Sequence, residues 1–209
     1  MKKLLLSIML MTALLPSVAA QDFIAGIRQR YAAAKEYVAE MMNPDGYPPC
    51  YYEALVTENL PGTGPHKESI KMFYGDKKCE ECEDEDGFDV AHHIHPIHWL
   101  RFVIVQYNYA ASNYYDEYLF DENGKVEFIY AFEPNGLDQK DCEYRCYFSN
   151  GKLLKLIVKA RPTGSAEPYT EEYSGKNVPE KYAICYNSYA DKGAQLLRLF
   201  EALDGAAFY

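Results

Sequence analysis

Four of the five histidines, His92, His93, His95 and His98, fall within one short stretch, just after Cys79-Glu80-Glu81-Cys82 and the acidic run Glu83-Asp84-Glu85-Asp86. Imidazole and thiolate suit zinc or copper. In an extended segment His93 and His95 point to the same side, so they could share an ion with Cys79 and Cys82. The pattern therefore offers His92, His93, His95 and His98 as candidate ligands and Zn or Cu as the possible cofactor; the bland reading is a solvated polar loop with no cofactor. The two-residue Cys spacing also matches thiol oxidoreductases. A reactive thiol needs a lowered pKa, however, and the carboxylates around Cys79 and Cys82 act the other way. A calcium loop fails too. Asp84, Asp86 and Gly87 fit its third, fifth and sixth positions, but Cys82 and His93 stand where carboxylates belong.

Six cysteines, Cys50, Cys79, Cys82, Cys142, Cys146 and Cys185, are the disulfide candidates, because the chain opens like an exported one. Met1-Lys2-Lys3, the apolar run Leu4 to Leu15, and Val18-Ala19-Ala20 read as a signal peptide over residues 1–20. The apolar core is too short to span a bilayer, which needs about 20 residues. The expected mature chain starts at Gln21, is periplasmic or secreted, and has no membrane span. Oxidising compartments favour disulfides. Cys142 and Cys146 on one strand would lie about 13 Å apart, beyond the roughly 7 Å that a disulfide allows. Each should therefore pair elsewhere, with Cys50 or Cys185, or remain a small core residue.

The formal net charge of −10 repels nucleic acid and anionic membranes. The expected partners are a protein, a peptide or a glycan outside the cytoplasm. Twenty Tyr and ten Phe against one Trp give side chains that join apolar area to a hydrogen-bonding hydroxyl. They serve either half-exposed sheet faces or a binding surface.

The elements that must carry these residues are legible as periodicities. Ile24, Ile27, Tyr31, Ala34, Val38 and Met41 form one stripe of a helix over Phe23 to Met42, stopped by Asn43-Pro44-Asp45-Gly46. Strand-like runs follow at Tyr52 to Glu58, Glu68 to Tyr74 and Arg101 to Tyr109. Residues 75–98 form an acidic, His-rich loop between the second and the third. Two hairpins come next. In the first, a bulged turn at Glu122-Asn123-Gly124 pairs Asp121 with Lys125 and is expected to gather Tyr114, Tyr118, Phe120, Val126, Phe128, Tyr130 and Phe132 on one face. The second, around Ser149-Asn150-Gly151, gathers Cys142, Tyr144, Cys146, Phe148, Leu154, Leu156 and Val158. Residues 161–179 read as a surface connection, Tyr182 to Tyr189 as strand or helix, and Ala194, Leu197, Phe200 and Leu203, with Leu196 beside them, as the stripe of a last helix ending at Gly205.

A single α+β domain over residues 21–209 follows, with an N-terminal helix, an antiparallel meander of about five to seven strands and a C-terminal helix. The helices are expected on one sheet face, leaving the other open. This layout resembles cystatin-like and nuclear-transport-factor-like folds; the resemblance is one of layout alone, with no residue motif behind it, and implies a helix packed on a curved sheet. The Tyr-rich face of the first hairpin supplies the candidate binding residues Tyr114, Asp116, Tyr118 and Tyr130, with Asp116 near the rim. No catalytic signature stands out. The expected function is that of an exported, non-enzymatic binding or interaction module of a bacterium. The alternative is a metal-binding or small hydrolytic protein built on the His-rich loop.

Overall fold

A computed structural model describes residues 2–46, 51–76, 98–162, 164–165 and 167–206, the first helix as backbone alone up to residue 19. Helix α1 (Lys2–Met41) is followed by strands β1 (Tyr51–Leu60), β2 (Gly64–Asp76), β3 (His98–Tyr109), β4 (Ser112–Phe120), β5 (Val126–Glu133), β6 (Lys140–Ser149), β7 (Lys152–Pro162) and β8 (Tyr169–Ser174), and then by helix α2 (Glu180–Ala206). The strands form one antiparallel sheet in chain order, with β1 and β8 at its edges. The α+β layout is the expected one. The extra strand, β8, arises inside the segment read as a surface connection, where Thr170 and Tyr173 pair along β7 despite the surrounding Pro and Gly. Tyr182 to Tyr189 is helical and belongs to α2.

The helices do not share a face. Ile27, Ala34 and Val38 of α1 pack with Phe73, Phe102, Leu119, Phe128, Tyr147 and Ile157 on one side of the sheet. Tyr182, Tyr189, Leu196 and Phe200 of α2 pack with Met72, Val103, Val105, Tyr118, Phe120, Ile129 and Tyr144 on the other. The expectation of an open face is therefore corrected: the sheet is the middle of three layers. Burial on both sides explains why Phe128-Ile129-Tyr130-Ala131-Phe132 is almost continuously apolar. Fully burying one such side chain stabilises the fold by about 1.5–3 kcal/mol.

The first hairpin has the expected turn. Asp121 N–H donates to the Lys125 carbonyl at 2.8 Å, and Gly124 takes φ 76°, a left-handed conformation that glycine adopts without steric cost. The register beyond it differs. Phe120 pairs with Val126 but Leu119 pairs with Phe128, leaving Glu127 as an extra residue on β5. This β-bulge exchanges the two faces of β5. Phe128, Tyr130 and Phe132 turn to α1, while Tyr114, Tyr118, Phe120 and Val126 stay with α2. The second hairpin closes on the two residues Asn150 and Gly151, both at positive φ. A bulge at Leu154 then restores Leu156 and Val158 to the face of Cys146 and Tyr144. In α2 the buried stripe runs through Tyr189, Gly193, Leu196 and Phe200, and Ala194 is exposed.

Candidate functional site

Strand β4 holds two carboxylates, Asp116 and Glu117, that are the buried charged residues among the described ones, at 0% and 2% exposure. Neighbours on a strand point to opposite faces, so one acid lies under each helix. Each is met by a lysine from the helix above it: Lys35 of α1 reaches Glu117, and Lys192 of α2 reaches Asp116 at 3.4 Å. A buried carboxylate needs such partners, because an uncompensated charge in a low-dielectric interior costs several kcal/mol.

On the α1 side, Glu117 accepts hydrogen bonds from the Tyr31 and Tyr115 hydroxyls and from Lys35. It lines a cavity of about 520 Å³. Tyr31 packs edge-on to Phe128 at 4.6 Å, and Phe128 tilts against Tyr147 at 4.9 Å, so the floor is aromatic. Arg28 lies 5.5 Å from the Tyr147 ring centre, and Tyr130 and Arg145 complete the lining, Arg145 being 48% exposed and 3.7 Å from Glu143. Burial first, and the hydrogen bond to Glu117 second, push the Tyr31 and Tyr115 phenols well above their usual range. Both stay protonated and act as donors.

On the α2 side, Asp116 Oδ2 receives the Tyr118 hydroxyl and the Lys192 ammonium, each at 3.4 Å. Its Oδ1 is buried with no hydrogen-bond partner. Burial pushes the carboxyl up to about 6 against the pull of Lys192. The same ammonium lies 3.1 Å from Glu68 and 4.1 Å from the centre of the Tyr107 ring, which stacks on Tyr114 at 4.8 Å. Above it opens a cleft of about 920 Å³ between α2 and strands β2 and β3.

Of the sequence candidates, Tyr114, Asp116 and Tyr118 thus share the α2 side, whereas Tyr130, opposite Glu117 across the strands, belongs to the α1 pocket. Asp116 is interior rather than at a solvated rim, because α2 covers that part of the face. His98 is held through Nδ1 by Asp204 at 2.8 Å, with Asp76 3.6 Å from Nε2. His92, His93 and His95 lie outside the described residues, as do Cys50, Cys79 and Cys82. Among the described residues no group of three His, Cys, Asp or Glu is arranged to hold a metal. Cys142, Cys146 and Cys185 are free thiols, so of the two courses open to Cys142 and Cys146, a disulfide with Cys50 or Cys185 or a place in the core, both take the second. Burial raises all three thiol pKa values, and that disfavours the thiolate needed for nucleophilic or redox chemistry.

The residues that sequence reasoning missed are Glu117 and the cations Arg28, Lys35, Arg145 and Lys192. One signal was present: a strand reading Tyr114-Tyr115-Asp116-Glu117-Tyr118 carries an acid on each face, and two acids cannot both be solvated if both faces are covered. No protein-family model matches this chain, and neither a curated protein nor a solved structure does.

Proposed function

We propose that this protein is an exported, non-enzymatic binding module whose ligand occupies the α1-side pocket, and that the ligand is a small anion with a flat oxygen-rich body, as in a sugar acid. The observation that carries this reading is the charge of the pocket. In a chain of net charge −10, Arg28 and Arg145, the latter 3.7 Å from Glu143, face a cavity whose single lining acid, Glu117, is already held by two phenols and the Lys35 ammonium. An anion entering there gains charge-assisted hydrogen bonds. Aromatic walls offer flat apolar surface, and phenol groups offer hydrogen bonds to hydroxyls.

The same chemistry speaks against catalysis in this pocket. A general base or a nucleophile needs a pKa near the working pH, and Tyr31 and Tyr115 are shifted away from it. Export is supported by the charged start, the short apolar core and the small residues before Gln21.

Calorimetric titration with a glucuronic-acid disaccharide and with its neutral methyl ester tests the reading. The acid should bind, the ester should bind about tenfold more weakly or worse, and Arg145→Ala should reduce the acid to the level of the ester. Equal binding of acid and ester, or no binding of the acid, would remove this function from the pocket.

A further inference from the structure

The cleft on the far side of the sheet has the opposite electrostatic character. Glu68 and Asp191 face it and Asp116 lies beneath it, against the single ammonium of Lys192. His66 donates through Nδ1 to the Asn108 carbonyl at 2.6 Å, which leaves Nε2 beside Glu68 at 4.0 Å as an acceptor when the ring is neutral. The Tyr107 ring, fixed by its stack on Tyr114, presents a π face to the cleft.

Lys192 reveals what this constellation holds. Its ammonium sits over an aromatic face, between two carboxylates, at 4.1 Å from the ring centre, 3.1 Å from Glu68 and 3.4 Å from Asp116. Those are the components of an alkylammonium receptor: a ring quadrupole and hydrogen-bonding anions in a partly desolvated seat. The seat is also incompletely used. Asp116 Oδ1 remains buried without a partner, and an unpaired buried acceptor is destabilising.

We propose that this cleft is a second binding site, for a primary alkylammonium group such as a lysine side chain or the end of a polyamine. The incoming ammonium takes the place of Lys192 over Tyr107, and Lys192, already 26% exposed, swings out along the surface of α2. Ion pairs given up by Lys192 are remade by the ligand, so the exchange is close to neutral in charge. The net gain comes from the ligand's apolar stem against Ile70, Leu196 and Leu199. This site stands on the opposite face from the anion pocket and does not depend on it.

Titrating the intact protein with n-butylammonium, followed by amide chemical shifts, tests the proposal, with 1-butanol as the uncharged control. Saturable shifts confined to β2, β3 and α2 are expected for the amine and not for the alcohol. Tyr107→Leu and Glu68→Gln should each weaken binding about tenfold, and Lys192→Ala should tighten it about tenfold, since the seat is then vacant. Arg30→Ala, on the α1 face and outside both sites, should leave the titration unchanged. Shifts of equal size with butanol, unsaturable shifts, or an unaltered affinity in Glu68→Gln would overturn it.

Discussion

Because the Asp116 carboxyl is desolvated more strongly than Lys192 compensates, its proton is held more tightly in the folded chain than in the unfolded one, where an aspartate titrates near 3.8. With the folded value at about 6, the native state binds more protons between pH 4 and 6, so stability falls as pH rises through that window. The contribution is fully present below the unfolded value and lost above the folded one. A shift of this size corresponds to about 2–3 kcal/mol. Denaturant melts at pH 4 and pH 6.5 should show this loss in the wild type and a much flatter profile in Asp116→Asn; parallel profiles would mean that Asp116 is solvated. The type of this residue was legible as chemistry, an acid among tyrosines. Its depth was not, since depth depends on which face α2 covers, and no local pattern encodes that.

Helix α2 approaches the sheet closely at Gly193, where an added Cβ would stand 2.7 Å from Val126 Cγ2. Alanine favours a helix over glycine by about 1 kcal/mol, but here overpacking against β5 costs about 1–3 kcal/mol, so Gly193→Ala should destabilise. Gly26 in α1 is the contrast. Its nearest neighbour is the flexible end of Arg30 at 3.4 Å, and Gly26→Ala should stabilise by up to about 1 kcal/mol. Thermal melts of the two variants should move in opposite directions, and a shared sign would contradict the close packing of α2. Both helical stripes could be approached by periodicity, though the stripe of α2 is rotated from the expected one because Gly193, not Ala194, makes the contact. Turn chemistry was equally readable: Gly124 and Asn150-Gly151 sit where positive φ is needed. What escaped was the bulge at Glu127. A single unpaired residue leaves no compositional mark, yet it moves Phe128 and Tyr130 to the other face and so decides which site each serves.

At the scale of the whole molecule, a meander covered on both sides depends on two separate helical lids, and only one of them lies near the segment read as a signal peptide. Among the described side chains, α1 contributes Ile27, Ala34 and Val38 to the buried cluster, with Ile24, Tyr31, Tyr37 and Met41 packed around them. All lie after residue 20. Removing residues 1–20 should therefore leave the denaturation midpoint within about 0.5 kcal/mol of the full chain, and it should leave the Glu117 pocket able to bind. Removing residues 1–41 is a different operation. It strips the cover from Phe73, Phe102, Leu119 and Phe128, exposing a contiguous apolar face of the kind that drives aggregation, and it deletes Arg28, Tyr31 and Lys35 from the pocket. Light scattering and melting of the two truncations, made side by side, separate the cases. The shorter deletion should be monodisperse and as stable as the parent, and the longer one should aggregate. If the shorter deletion also lost stability, the first half of α1 would have to pack against the sheet, and the proposal that it is a removable export signal would fail with it.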